Sequence, residues 1–112
     1  MNWYPRQLVK EPVSFPFYED RHPYIFKDGQ TILFDTNRPG GAGSYDIWEA
    51  KQFHGIWSSV KPLPLGSINT SAYEAAPCVW EGPGKMELYF ETERSGKSEL
   101  FVSEWDTVLE YS

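Results

Sequence analysis

The sequence is poor in cysteine, in basic residues and in long apolar runs, and each shortage excludes a class of protein. One cysteine among 112 residues rules out an internal disulfide and cannot by itself form a zinc site. With 10 basic and 16 acidic residues, the net charge of -6 argues against nucleic acid and against anionic membrane surfaces as partners. No run reaches 18 apolar residues, and the N-terminus lacks the apolar segment of a signal peptide. We therefore expect a cytoplasmic protein, with no metal and no cofactor.

Aromatic residues, glycine and proline are plentiful instead. Aromatics make up 17% of the chain, and glycine and proline contribute nine residues each. Aromatic side chains favour the pleated surface of a sheet, whereas glycine and proline punctuate turns. Since no segment shows a convincing 3.6-residue periodicity, we predict a single all-β domain.

The chain consists of two copies of one repeat unit. Residues 22–50 align with residues 76–104, so that Pro23 matches Pro77 and Phe34 matches Phe90. The preceding segments align through Trp3 and Trp57, Tyr18 and Tyr73, and Glu19 and Glu74. This internal repeat predicts one domain of two units, about 3–57 and about 58–112.

The sequence of each unit predicts short antiparallel strands that are separated by turns. The pattern places strands at 23–26, 31–36, 45–51 and 56–60 in the first unit, and at 77–80, 86–92 and 99–105 in the second. Asp28-Gly29 is a hairpin signal between the first two strands. Two segments compete for the fourth strand of the second unit: residues 106–112 of the same chain, or residues 2–5 of a neighbouring chain.

The stretch "DGQTILFDTNRPGGAGSYDIW", followed by "GIWSSVKPLPLGSINTSAYEAAP", resembles the TolB-type (WD-like) β-propeller repeat of bacterial envelope proteins. The resemblance covers nearly the whole chain, but the second copy departs from it where Asp28 becomes Pro83 and Asp46 becomes Glu99. It implies two four-stranded antiparallel blades, and it leaves a periplasmic location open.

Two blades do not close a propeller, whose family members carry typically six or more in one chain. We therefore expect self-association: a trimer for six blades is favoured, with a dimer for four or a tetramer for eight as alternatives. A fragment of a longer propeller is a further alternative.

The resemblance implies that two sets of loops meet at the mouth of the channel. The candidate ligand-binding residues there are Glu19, Arg21, His22, Arg38, Glu74 and Arg94. Arginine offers a rigid fork of donors to carboxylate or hydroxyl groups. The competing interpretation is structural: Arg38 and Arg94 pair with Glu19, Glu74 or Asp46 and pin adjacent loops.

The glycine-rich loop "NRPGGAGS" has two interpretations. A phosphate cradle would open a helix, but a strand follows this loop. We therefore expect Gly40, Gly41 and Gly43 to turn a corner with positive φ angles. Asp46 and Glu99, which begin the third strands, are expected to accept hydrogen bonds from turn amides; a metal-binding or catalytic role is the alternative.

Apolar strand residues are assigned to the core. Cys78 lies in the apolar run "APCVW" and is predicted to be a packed strand residue. The aromatics at equivalent repeat positions are predicted to form the core between blades; they are Phe34, Trp48, Tyr89, Phe90 and Phe101. His22 and His54 share no metal-ligand spacing.

These patterns favour a non-catalytic binding or interaction module that recognises a small polar or carbohydrate ligand, or a protein partner, at the channel mouth. One alternative is a glycosidase-like enzyme, which needs two carboxylates and would draw them from Glu19, Asp20 and Asp46. A second alternative is a purely structural, self-assembling repeat.

Overall fold

The computed structural model describes residue 5 and residues 7–105, which form two antiparallel sheets. The strands are β1 (Asp20–Ile25), β2 (Thr31–Thr36), β3 (Asp46–Phe53) and β4 (Ile56–Pro62) in the first sheet, and β5 (Glu74–Gly82), β6 (Lys85–Thr92) and β7 (Glu99–Trp105) in the second. Strands neighbour one another in chain order within each sheet. The described residues contain no helix that would cross a membrane. The all-β prediction is confirmed.

Turn residues explain the hairpins of the first sheet. Gly29 has a φ of 71°, and the Asp28 carboxylate accepts a hydrogen bond from the Gln30 amide at 2.7 Å. His54 and Gly55 both have positive φ angles, 53° and 81°. Two such residues in succession match the twist of the flanking strands in a two-residue hairpin.

A bulge interrupts the first strand of each sheet at the same place. The register shifts between Arg21 and Tyr24 in β1, and between Ala75 and Cys78 in β5. The residue at the bulge has a φ of 51° in β1 and 54° in β5. A proline follows in both cases, and a bulge is one of the few places in a sheet that tolerate proline.

The two sheets stack face to face through one apolar core. Leu33 and Ile47 of the first sheet pack with Val79 and Phe90 of the second, and Ile68 of the connecting segment completes this cluster. The side chains of β2 alternate between the faces of its sheet, as strand geometry requires. One face of the first sheet is therefore buried by the second sheet.

The opposite face of the first sheet, which we call the head face, carries Ile25, Ile32, Phe34, Trp48 and Ala50. The N-terminal segment covers part of it, because Val13 packs into the cluster formed by four of these residues. Ile25 remains half exposed, at 53%. Phe34 and Trp48 are buried, but in the cluster with Val13 and not between the two sheets, where the core between blades was predicted.

The outer face of the second sheet, which we call the tail face, carries Cys78, Trp80, Tyr89, Leu100 and Val102. All five side chains are exposed. The predictions of a buried Cys78 and a core Tyr89 are therefore wrong for the single chain, because nothing in the described residues covers this face. Phe101 is also exposed, since β7 is the edge strand of the described sheet, whereas Phe90 is buried as predicted.

The first sheet ends with β4, and a connecting segment separates it from the second sheet. β4 continues to Pro62 and pairs with β3, so the first sheet ends there and residues 63–73 connect it to β5. The described part of the second sheet has three strands rather than four. Both candidates for its fourth strand, residues 106–112 and the N-terminal residues before Pro5, lie outside the described residues.

Candidate functional site

Both repeats hold an arginine against the threonine that ends their second strand. The Arg38 amide and Nε each donate to Thr36 Oγ1 at 3.3 Å; the Arg94 amide and Nε donate to Thr92 Oγ1 at 3.2 and 3.1 Å. A terminal nitrogen of each guanidinium then reaches the segment that precedes its sheet. Arg38 donates to the Val13 carbonyl and Arg94 to the Ile68 carbonyl, both at 2.5 Å. Each arginine thus ties a loop to the incoming chain.

Each of these two arginines also lies near a carboxylate. Arg38 lies 2.7 Å from Asp20, and Arg94 lies 3.9 Å from Glu74. Asp20 and Glu74 begin the first strands of their sheets and face Thr36 and Thr92 in register. The structural interpretation of the two arginines is therefore the one observed. The carboxylate that pairs with Arg38 is that of Asp20, however, and not that of Glu19 or Asp46, as was predicted.

Glu74 is fully buried, which requires compensation for its charge. It accepts hydrogen bonds at 2.7 Å from the Thr70 amide, the Thr70 hydroxyl and the Thr92 hydroxyl. These donors and Arg94 satisfy the carboxylate within the second sheet. Glu74 consequently links the connecting segment to β6 and is not exposed in the single chain.

Three other candidates, Glu19, Arg21 and His22, come together in a different group, which we call the mouth cluster. Its members are Glu19, Arg21, His22, Asp35, Tyr45 and Tyr73. Asp35 is fully buried near the end of β2. It accepts from Arg21 Nε at 2.9 Å and from the Ala76 amide at 2.9 Å, and lies 2.7 Å from His22 Nδ1. One carboxylate therefore joins the bulges of β1 and β5.

Two tyrosines hold the Arg21 guanidinium in place. Its carbon Cζ lies 3.9 Å from the centre of the Tyr45 ring, and its terminal nitrogen donates to the Tyr73 hydroxyl at 2.7 Å. Burial lowers the pKa of Arg21, but the hydrogen bonds to Asp35 and Tyr73 outweigh it, so the net pKa is raised and the group is charged. The Tyr45 hydroxyl donates to Glu19 at 2.8 Å, and this bond raises the pKa of Tyr45.

Exposure separates the six sequence candidates. The side chains of Arg21 and His22 are 31% and 51% exposed, Glu19 is exposed, and Arg94 is half-buried at 21%, whereas Arg38 and Glu74 are buried. No pattern in the sequence pointed to Tyr45 and Tyr73 as members of a site. A signal for Asp35 was present, because a single charge in the apolar strand "TILFDT" needs a buried partner.

The glycine-rich loop wraps around a carboxylate of its own chain. The Gly43 amide donates to both oxygens of Asp46 at 3.1 Å, as expected of a turn. A Cβ on Gly41 would lie 2.2 Å from Asp46 Oδ2, and one on Gly43 would lie 2.0 Å from the Ala72 carbonyl oxygen. The loop turns a corner, as expected, but a positive φ accounts for the glycine only at position 40, where φ is 106°. Close approach explains the other two.

The carboxylates proposed for glycosidase chemistry are held by protein groups. Asp20 binds Arg38 and accepts from the Phe15 amide at 3.2 Å, and Asp46 is buried beneath its loop. No group of three metal-ligating side chains occurs in the part of the chain that the structure describes. An open cleft of about 540 Å³ lies along the N-terminal segment; Phe15, Trp48 and Val60 are among its lining residues.

Comparison with protein families, with curated proteins and with solved structures finds no match to this chain.

Proposed function

We propose that this chain is a non-catalytic binding module made of two blades of a β-propeller. The proposal is supported by how the sheets meet. Asp35 hydrogen-bonds both to side chains at the β1 bulge and to the backbone amide at the β5 bulge. The first strands of the two sheets thereby lie side by side, as the innermost strands of neighbouring blades do in the propeller that the sequence resembles.

The mouth cluster is the proposed ligand site, and the observation that carries this proposal is the fixed, partly exposed Arg21. A guanidinium stacked on one tyrosine and hydrogen-bonded to another loses little conformational freedom when a ligand binds. His22 and Glu19 add exposed polar groups beside it. Such fixed polar groups on a rigid scaffold are what orient a ligand.

The charges of the cluster favour a neutral ligand rich in hydroxyl groups. Asp35 and Glu19 offset the charge of Arg21, so a ligand anion would gain little from it. A hydroxyl group can both accept from a nitrogen donor and donate to a carboxylate. We therefore favour a carbohydrate or another polyol over a phosphate or a carboxylate.

The glycosidase alternative receives less support, because Asp20 and Asp46 already bind protein groups. The purely structural alternative differs from ours in one observable respect: it predicts no ligand at the cluster.

Saturation-transfer difference NMR with glucose, galactose, N-acetylglucosamine and trehalose tests the proposal. We expect signals from at least one of these sugars with the unchanged chain, and their loss in Arg21→Ala. Alanine is the natural residue at the equivalent position of the second repeat, Ala75, so the backbone there accepts it. Because the variant removes one donor from buried Asp35, circular dichroism must show that it still folds. Lys61→Ala, an exposed cation on β4, is the matched control and should keep the signals. Absence of transfer from all four sugars, or equal transfer in Arg21→Ala, would favour the structural alternative.

A further inference from the structure

The tail face is the repeat equivalent of a face that is buried within the chain. Leu100 occupies in β7 the position of Ile47 in β3, and Tyr89 occupies in β6 the position of Leu33 in β2. Ile47 is 0% exposed because the second sheet covers it, whereas Leu100 is 79% exposed. The two faces have the same construction and differ in whether a sheet lies on them.

The head face shows the complementary difference. Ile25 is the equivalent of Val79, and Phe34 is the equivalent of Phe90. Val79 is 7% exposed beneath the first sheet, whereas Ile25 is 53% exposed. Val13 is the equivalent of Ile68, because the backbone carbonyls of both residues accept hydrogen bonds from equivalent arginines. Ile68, Val79 and Phe90, which pack against the first sheet within the chain, thus each have an equivalent residue on the head face.

We propose that a second copy of this chain seats its tail face on the head face, and repeats between chains the stacking seen within one. Leu100 of one copy then packs against the exposed Ile25 of the next, at the edge of the cluster in which the single chain already buries Val13 and Phe34. Ile47 packs in the same way in the cluster that holds Ile68, Val79 and Phe90. A second copy is the occupant because the chain already contains this interface once, with both of its surfaces.

A polar contact sets the register of this interface. Within the chain, Asp35 accepts from the amide of Ala76 at the β5 bulge, at 2.9 Å. The equivalent groups are Glu91, opposite Leu100 in β7, and the amide of His22 at the β1 bulge. Glu91 of one copy therefore accepts from the His22 amide of the next. In the single chain, its carboxylate is held by the exposed Ser98 hydroxyl at 2.8 Å.

Head and tail are different surfaces, so the contact is heterologous and must close into a ring or grow without limit. Covering every apolar face requires closure. Two sheets per chain give six blades in a trimer, the favoured number, and four or eight blades in a dimer or a tetramer. This proposal does not depend on the ligand at the mouth cluster.

Light scattering on the purified chain tests it first. We expect one sharp mass, and a trimer would be about 39 kDa, three times the 12.9 kDa chain. A sharp mass of two, three or four chains that persists from micromolar to hundreds of micromolar supports a closed ring. A monomer throughout this range, or a mass that keeps growing with concentration, overturns it.

Two charged variants then identify the surfaces. Ile25→Lys blocks the head and Leu100→Lys blocks the tail; both side chains are exposed, so the single chain should still fold, which circular dichroism checks. Each variant alone should be a monomer, and their mixture should form a one-to-one dimer through the one intact head and the one intact tail. Ile56→Lys, an exposed apolar residue at the β3–β4 hairpin, is the control and should assemble normally.

The mixture also separates a head-to-tail contact from a symmetric one. If two tails met, Ile25→Lys alone would still dimerise, and if two heads met, Leu100→Lys alone would. Either result overturns the proposal, as does a mixture that remains monomeric.

Discussion

At the scale of single residues, the chain uses buried carboxylates to fix its loops. Asp35, Asp46 and Glu74 are each fully or almost fully buried, and each accepts at least one backbone amide. Burial of a carboxylate costs free energy unless donors surround it, and leaving such donors unpaired is also costly. These three side chains therefore make the conformation of their loops strongly dependent on the correct fold of the rest.

The protonation of Asp46 gives a prediction about pH. Burial raises its pKa above the ordinary value of 3.8, and the amides of Gly43 and Ala42 only partly oppose this. A carboxyl whose pKa is raised in the folded state contributes stability at low pH, and this contribution is lost as the pH rises through the folded-state pKa. Asp46→Asn removes the ionisation. We expect its melting temperature, relative to that of the unchanged chain, to rise between pH 3.5 and pH 6.5.

Thermal unfolding followed by circular dichroism at the two pH values provides the measurement. Asp28→Asn, at the exposed β1–β2 turn, is the control and should show no comparable trend. A relative melting temperature of Asp46→Asn that stays constant or falls over this range would show that burial does not dominate at Asp46.

The sequence predicted part of this residue-scale picture. Two arginines at equivalent positions indicated repeated ion pairs, and the structure has them. The partner of Arg38 was misassigned because Glu19, and not Asp20, was aligned with Glu74. In the structure the Asn37 amide donates to the Glu19 carbonyl as the Glu93 amide donates to the Tyr73 carbonyl, so Glu19 takes the place of Tyr73. The segments before β1 and β5 are offset by one residue relative to the sequence alignment, and only the register of the strands reveals this offset.

At the scale of strands, the alternation of apolar and polar residues located the elements well. The prediction of strands at 31–36 and 99–105 matches β2 and β7 at both ends. β1 and β5 begin three residues before the predicted starts at Pro23 and Pro77. Proline was interpreted as the boundary of a strand, but the bulge lets each strand pass through it.

The bulge of β5 gives a second prediction. Ala76 has a φ of 54°, a conformation that costs an L-residue roughly 1–2 kcal/mol, whereas glycine adopts it freely. Glycine also increases the freedom of the unfolded chain, which costs about 0.4–1 kcal/mol. We expect Ala76→Gly to raise the free energy of unfolding by up to about 1.6 kcal/mol, the difference between these two contributions, measured by urea denaturation.

Ala75→Gly is the matched control for this prediction. Ala75 is fully buried in the same strand and has no positive φ, so glycine there should destabilise the fold by at least about 0.5 kcal/mol. Equal losses in both variants would contradict the left-handed conformation at Ala76.

At the scale of the whole molecule, the main feature is the contrast between one apolar face that is covered and one that is not. Sequence patterns assign residues to a face of a strand, but they do not show whether another sheet lies on that face. The apolar run "APCVW" placed Cys78 in the core, and the repeat placed Tyr89 there by analogy with the first unit. In the single chain both are exposed, because the first sheet has the second as its neighbour and the second has no described neighbour beyond it.

Cys78 supplies a third prediction, because it is the only cysteine and lies on the tail face. Its thiol is exposed in the single chain, and the head face of another copy would cover it. We expect its rate of reaction with Ellman's reagent, followed by absorbance, to be slower in the assembled, unchanged chain than in the monomeric Leu100→Lys variant at the same concentration. Leu100→Lys should react at the fast rate at every concentration. A rate that does not change when the chain assembles would place the contact elsewhere.

In the proposed ring, the unequal bulges of the two repeats would set the stoichiometry of a ligand at the mouth cluster. β1 carries Arg21 and His22 at its bulge, whereas β5 carries Ala75 and Ala76 at the same positions. Around a ring of identical chains, charged and methyl-lined positions would alternate from blade to blade. Saturation would then be reached at one ligand per polypeptide, and the rotational symmetry of the mouth would equal the number of chains and not the number of blades.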